Sequence, residues 1–156
     1  MRQRAVMIDI ETLATEPRAV VASVGAVAFD PSSGEILDGF QRVFEWADQQ
    51  RRGRVFDADT VRWWLQQSAD AKNSILLIPG SNRQALTALR EFVGDGEVWA
   101  NGPDFDGIIM LSLYTDYQLK GWSFRQHRCY RTIRALAKAR NVPTPEREGV
   151  RHDALA

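Results

Sequence analysis

The sequence predicts a single α/β domain, residues 1–156, in which helices pack in layers on a mixed sheet. Two observations lead to this prediction. Three strand-like segments come first, and the turn signal "DPSSGE" between the second and third is typical of an antiparallel meander. Helical and strand-like segments alternate in the rest of the chain. With 156 residues the chain is long enough to bury one good core.

Each element follows from local patterning. The predicted strands, apolar and rich in β-branched residues, cover residues 4–10, 19–29, 36–46 and 97–101. The predicted helices cover residues 57–72, 82–96, 105–118 and 129–141. The first helix begins at a capping aspartate, Asp57 or Asp59, and the second ends in glycine.

Composition narrows the classes of function. The formal net charge is zero, which argues against a polybasic binder, yet charge is unevenly spread. From Lys120 onward there are nine basic against three acidic residues, and residues 1–119 hold eleven basic against seventeen acidic. Either a phosphate-binding patch beside a cation site or a solvated basic helix face accounts for this. The single Cys129 excludes an internal disulfide and fits a cytoplasmic protein. The longest uncharged stretch, eleven residues, is too short for a membrane span.

Two carboxylates interrupt the first predicted strand, "AVMIDIET" at residues 5–12. Asp9 and Glu11 point to the same face, with Cα atoms about 6.6 Å apart. Buried together they would repel each other, so a cation between them is expected, and oxygen ligands favour Mg²⁺ or Mn²⁺. The alternative is that the strand ends in solvent and both groups are hydrated.

A third acidic candidate follows the strand predicted at residues 97–101. Asp106 starts a predicted helix, where it either interacts with the helix dipole or reaches over the sheet edge toward Asp9. Asp104 competes for this role. We favour Asp106 because the neighbouring Phe105 can anchor in the core and fix its direction.

His152, near the C-terminus, is one of two histidines. Beside a cluster of metal-binding carboxylates it is a plausible general base, since its ordinary pKa of about 6.5 suits proton transfer at neutral pH. A surface histidine without function is the alternative.

These segments together resemble a known family. "DIET", "NGPDFD" and "HDAL" resemble the three motifs of the DEDDh, or DnaQ-like, 3'–5' exonucleases. "DTVRWWLQQSADA" and "CYRTIRAL" are similar to the small stand-alone branch, which includes phage exodeoxyribonuclease A and a mycobacterial exoribonuclease that trims adenylate tails.

The resemblance implies an RNase H-like fold of three α/β/α layers around a mixed five-stranded sheet. It implies two Mg²⁺ or Mn²⁺ ions in each active site, held by Asp9, Glu11 and Asp106, with His152 taking a proton from the attacking water. The expected substrate is the 3' end of single-stranded RNA or DNA. Members of the family suggest a homodimer.

Further residues are expected to contact the substrate. Thr12 and Leu13 would lie under the terminal nucleotide, and Asn101 ends the strand that leads to Asp106. One of the adjacent Trp63 and Trp64 is a candidate stacking platform, and we select Trp64; core packing is the alternative for both. A basic stripe on the last predicted helix either follows the phosphates or faces solvent; it comprises Arg128, Arg131, Arg134 and Lys138, and we select Arg131.

The last motif departs from the family pattern, which places an aspartate at position 157, one residue beyond Ala156. We therefore expect a shortened final helix and weak binding of the metal that carries the water. The competing hypothesis is a catalytically impaired or non-catalytic nucleic-acid-binding domain, and an RNase H-like endonuclease is a third. The choice between RNA and DNA stays open, because one or two contacts to the 2'-hydroxyl decide it.

Overall fold

A computed structural model describes residues 4–144, and it confirms the α/β class with a mixed five-stranded sheet. The strands are β1 (Ala5–Thr12), β2 (Val21–Phe29), β3 (Ile36–Val43), β4 (Glu97–Ala100) and β5 (His127–Cys129). Their order in the sheet is β3-β2-β1-β4-β5. The first three strands form the antiparallel meander, and β4 and β5 add in parallel to β1. The C-terminal ends of β1, β4 and β5 therefore meet at one edge.

Six helices lie between Arg4 and Thr144. They are α1 (Trp46–Arg51), α2 (Ala58–Leu65), α3 (Ala69–Ile75), α4 (Asn82–Val93), α5 (Asp106–Asp116) and α6 (Tyr130–Ala139). None of these helices has the length and apolar content that crossing a bilayer requires.

Several boundaries predicted from the sequence differ from the structure, and two of these differences have a clear local cause. The helix predicted over 57–72 is two helices, because Ser68 caps α3 by accepting a hydrogen bond from the Ala71 amide. The third strand ends at Val43 and not at residue 46, because the Glu45 carboxylate caps α1. The three-residue strand β5 was not predicted by patterning, since so short a segment shows no period.

The main core lies on one face of the sheet. Val6, Ile8 and Ile10 of β1 are at most 5% exposed, and helices α4 and α5 pack in the same cluster. Because strand side chains alternate, Asp9 and Glu11 point to the opposite face. The acidic pair is therefore separated from this core by the backbone of β1.

A smaller second core lies beside the start of β2. It consists of Leu13, Val20, Ala22, Trp64, Ala71 and Ile75. A β-bulge separates it from the main core: Glu11 pairs with Ser23 but the next residue, Thr12, pairs with Val21. Bulges re-aim side chains near functional edges of sheets. Here the bulge lets β2 contribute to both cores.

Candidate active site

The acidic pair of β1 lies where the parallel strands end. Asp9 is partly buried, and Glu11 is 8% exposed and directly precedes the bulge. On β2 they pair with the small residues Gly25 and Ser23. The strand thus holds two carboxylates on one face, as the sequence predicted.

Asp106 joins this edge from the other side. It is the first residue of α5, it is 5% exposed, and one of its carboxylate oxygens accepts a hydrogen bond of 3.2 Å from the amide of Ile10. Ile10 is the residue between Asp9 and Glu11, so Asp106 meets β1 at the acidic pair. Asp104, the competing candidate, is exposed and forms an ion pair of 2.7 Å with Arg131.

The electrostatics of Asp106 reflect this position. Burial, followed by the negative charge of Asp9, raises the pKa of Asp106 to about 7, and the amides of Asp106 and Ile10 oppose that rise. The charged form is therefore unfavourable without a nearby cation. From Arg4 to Thr144, no three or more Asp, Glu, His or Cys side chains are gathered at metal-binding distances.

Backbone contacts tie helix α2 to the end of β1. The indole N–H of Trp64 donates to the Thr12 carbonyl at 2.9 Å, and the Asp57 amide donates to the Leu13 carbonyl at 2.8 Å. Thr12 itself donates from its hydroxyl to the Ala14 carbonyl at 2.6 Å. These bonds fix the loop after β1 against α2.

A cavity of about 390 Å³ opens between these elements. Its lining residues are Ile10, Glu11, Thr12, Thr15, Asp57, Asp59, Thr60, Trp63, Trp64 and Phe105. The volume lies in the range of small-ligand sites. Two other cavities, of about 390 and 440 Å³, include no residue of β1, so location and not size distinguishes this one.

The two tryptophans share the cavity wall in different ways. Trp64 is 4% exposed and belongs to the second core, whereas Trp63 is 39% exposed and meets Trp64 edge to face at 5.1 Å. Trp63 therefore presents the more accessible ring. Trp64, the stacking candidate expected from the sequence, is thus the buried ring of the pair. Four lining residues were not expected from the sequence to belong to a site: Thr15, Asp57, Asp59 and Thr60. Asp57 caps α2 and also lines the cavity, and only the capping role can be predicted from the sequence.

The remaining predicted residues lie apart from this cavity or beyond the described chain. Leu13 packs in the second core, under the loop. Asn101 is exposed, directly after β4, and Arg131 is exposed in the first turn of α6. Neither lines the cavity. His152 lies outside residues 4–144.

The start of α5 is fixed by close packing. Gly107, next to Asp106, lies against the ring of His127: a Cβ at this glycine would stand 2.5 Å from the His127 Cε1. The His127 Nε2 accepts a hydrogen bond of 2.8 Å from the Trp122 indole. The imidazole is therefore neutral with its proton on Nδ1, and burial lowers the pKa of His127.

The buried Arg54 connects the loop after β1 to helix α5. The Arg54 side chain is fully buried, forms an ion pair of 2.8 Å with Asp116 near the end of α5, and donates 2.8 Å to the Ala19 carbonyl. It also donates to Ser112 and to the Pro17 carbonyl. The loop after β1 and the helix that begins at Asp106 are thus held by one side chain.

Known proteins share this architecture. The E. coli exonuclease I in complex with a dT13 oligonucleotide superimposes with a TM-score of 0.65 at 11% identity, covering 88% of this chain and 30% of that one. Cell-death related nuclease 4 gives a TM-score of 0.64 at 14% identity, covering 99% of this chain and 59% of that one. These likenesses show the RNase H-like exonuclease fold.

Sequence comparison gives the family. An exodeoxyribonuclease of Enterobacteria phage T4 is 24% identical over 128 residues, covering 72% of this chain and 56% of the phage protein. The chain thus spans about half the length of that relative. Residues 4–156 match the 3'-5' exoribonuclease Rv2179c-like domain. The chain therefore belongs to the Rv2179c-like 3'–5' exoribonuclease domain family, a branch of the DnaQ-like exonucleases.

Proposed function

We propose that this chain is a divalent-metal-dependent 3'–5' exonuclease that removes nucleotides from the 3' ends of single-stranded RNA or DNA. The observation that carries the proposal is the meeting of Asp106 with β1 between Asp9 and Glu11, directly beside an aromatic-walled cavity. Family membership supports the reaction class, and a fold neighbour, the E. coli exonuclease I, binds a dT13 oligonucleotide.

The donor chemistry fits Mg²⁺ or Mn²⁺. Asp9, Glu11 and Asp106 offer only carboxylate oxygens, which are the ligands these hard cations prefer; in the described part of the chain the three are not gathered at metal-binding distances, so they would have to converge on the ion. The raised pKa of Asp106 adds support, because a cation at this place would favour its charged form. Two ions in each site follow from the family resemblance. When bound, such ions activate water and stabilise the charge on the leaving 3' oxygen.

The side chains of the cavity take the terminal nucleotide. The ring of Trp63 is the accessible stacking surface, and the buried Trp64 contacts this ring edge to face. Thr12 lines the cavity, and Leu13, in the second core, fixes the loop after β1 through its backbone bonds to Val20 and Asp57. The scissile phosphate then lies at the edge where Asp106 meets β1.

Two roles rest on the resemblance of motifs. His152, outside the described residues, is assigned as the general base that takes the proton of the attacking water. Asn101, exposed after β4, is assigned to the nucleotide strand on the Asp106 side of the edge.

The proposal includes a cytoplasmic homodimer. The one cysteine, Cys129, fits a reducing compartment. The exposed apolar residues Leu76, Leu77 and Ile78 offer a surface for self-association. Sedimentation velocity on the full chain gives the oligomeric state directly.

A time course on 5'-labelled RNA and DNA oligonucleotides tests the activity. We expect a ladder of stepwise shortened products with Mg²⁺ or Mn²⁺ and none with EDTA. Asp9→Asn and Asp106→Asn should each abolish the ladder. Asp95→Asn, at an exposed position in the turn before β4, is the matched control and should retain activity.

Other products would exclude the proposal. Cleavage of circular single strands indicates an endonuclease, and immediate release of a labelled mononucleotide indicates the opposite polarity. Tight binding of the oligonucleotides with no products under any metal would support the non-catalytic binding domain instead.

A further inference from the structure

We call the sheet edge that carries Asp9, Glu11 and Asp106 the acidic edge. In the strand order, helix α6 lies on one side of this edge and the cavity beside β1 lies on the other. The cavity walls come from β1 and α2, whereas α6 follows β5, at the other end of the order β1-β4-β5. Asp106, which follows β4, lies between the two. A strand whose last nucleotide fills the cavity and whose scissile phosphate lies at Asp106 reaches α6 when it continues in the same direction across the sheet edge.

The first turn of α6 contacts the loop between β4 and α5, which leads to Asp106. The Arg131 guanidinium donates 2.7 Å to the Asp104 carboxylate, two residues before Asp106. It also lies close against Gly102: a Cβ there would stand 2.5 Å from Nη2 and 2.7 Å from Cζ. Gly102 has a φ of 150°, in the region that favours glycine. The Arg131 guanidinium is thus held against Gly102 and Asp104 of this loop.

This ion pair is open to solvent. The side chains are 58% exposed for Arg131 and 70% exposed for Asp104. Farther along α6 and just beyond it, Arg134, Lys138 and Arg140 are exposed as well. Arg128, by contrast, is engaged with Glu97 at 2.8 Å. A positive surface therefore begins at Arg131 and leads away from the acidic edge.

We propose that Arg131 binds the phosphodiester on the 5' side of the scissile bond, and that Asp104 occupies the guanidinium in the free protein until the strand displaces it. The inference rests on the proposed exonuclease function and adds to it the path of the substrate.

Carboxylate and phosphodiester oxygens compete for the same guanidinium donors. An exposed Arg–Asp pair is weak, so a phosphate replaces the carboxylate at little cost. Asp104 is then left beside a polyanion, which lowers the affinity for the strand. Asp104 thus limits strand affinity through Arg131.

Binding of a 5'-labelled single strand, measured by fluorescence anisotropy in EDTA so that no cleavage occurs, tests this exchange. Asp104→Asn should tighten binding by about 1.5- to 5-fold, the range that corresponds to an exposed ion pair. Arg131→Gln should weaken binding. In the Arg131→Gln background, Asp104→Asn should tighten binding less than it does in the wild type, because only the general repulsion between Asp104 and the strand remains.

Salt dependence gives a second readout. Because the displaced Asp104 takes up a cation in the wild type, the slope of log K against log salt should steepen by up to about 0.7 in Asp104→Asn. The matched control is Asp95→Asn, which breaks the exposed 2.9 Å pair with Arg90 in the turn before β4. It should change neither affinity nor slope.

The outcomes separate the two proposals. If Asp104→Asn tightens binding equally with and without Arg131, the effect is general charge and the exchange is overturned. A decrease or no change in affinity for Asp104→Asn also overturns it, while the metal-dependent ladder of the wild type keeps the exonuclease proposal standing. A wild type that neither binds nor cleaves single strands removes both.

Discussion

Replacing Gly107 by alanine tests how the start of α5 is held. The added Cβ would stand 2.5 Å from Cε1 and 2.8 Å from Nε2 of His127, and the ring is already bonded to Trp122. Overpacking of this kind costs about 1–3 kcal/mol, and displacing the ring adds about 1 kcal/mol for the Trp122 bond. The helix preference of alanine over glycine offsets about 0.5–1 kcal/mol.

The net expectation for Gly107→Ala is a loss of about 1–3 kcal/mol in the free energy of unfolding. For a domain of this size that corresponds to a decrease in Tm of roughly 2–12 °C. Urea unfolding followed by circular dichroism measures the first quantity, and a thermal scan measures the second. Because Asp106 is adjacent, the rate of cleavage by the folded variant should fall as well.

A double-mutant cycle isolates the clash. In a His127→Ala background the added methyl has space, so Gly107→Ala should be neutral or slightly stabilising there. Gly80→Ala is the matched control, because its Cβ would meet no atom within 4 Å. The packing argument is refuted if Gly107→Ala is as stable as the wild type, or if His127→Ala fails to relieve it.

Three further predictions concern stability and substrate binding. Arg54→Met removes the buried partner of Asp116, which keeps its 3.0 Å ion pair with Arg18, and should cost about 1–3 kcal/mol in urea unfolding. The pKa of His127 is lowered by burial, so the unfolded chain binds more protons below about pH 6.5. The stability difference between wild type and His127→Gln should therefore be constant above that pH and shrink as the pH falls; a flat difference would contradict this. Trp63→Ala should raise KM about 5-fold or more with little change in kcat, because stacking contributes roughly 1–3 kcal/mol per base.

Local patterning predicted much of the fold and part of the site. The alternation of "AVMIDIET" predicted both β1 and the shared direction of Asp9 and Glu11, because a strand has a fixed period of two. In the structure Asp106 is buried against β1 and Asp104 faces solvent; the choice of Asp106 as a metal ligand stays a prediction.

Other features depend on contacts between distant segments, which no local pattern encodes. The break between α2 and α3 is decided by a single cap at Ser68, within a stretch that is otherwise helical in pattern. The cavity wall at Asp57 and Trp63 follows from the bonds of α2 to Thr12 and Leu13, more than 40 residues earlier. The pairing of Arg131 with Asp104 likewise joins elements that only the tertiary fold brings together.

The bulge between β1 and β2 has a consequence for how such a protein diversifies. It divides the apolar interior, so the cavity wall that α2 contributes rests on its own small cluster, which includes Trp64, Ala71 and Ile75. Substitutions in that cluster change the shape of the cavity while the contacts of α4 and α5 with the sheet stay intact. Substrate preference is thereby free to drift among descendants of this scaffold without loss of the framework that carries the acidic groups.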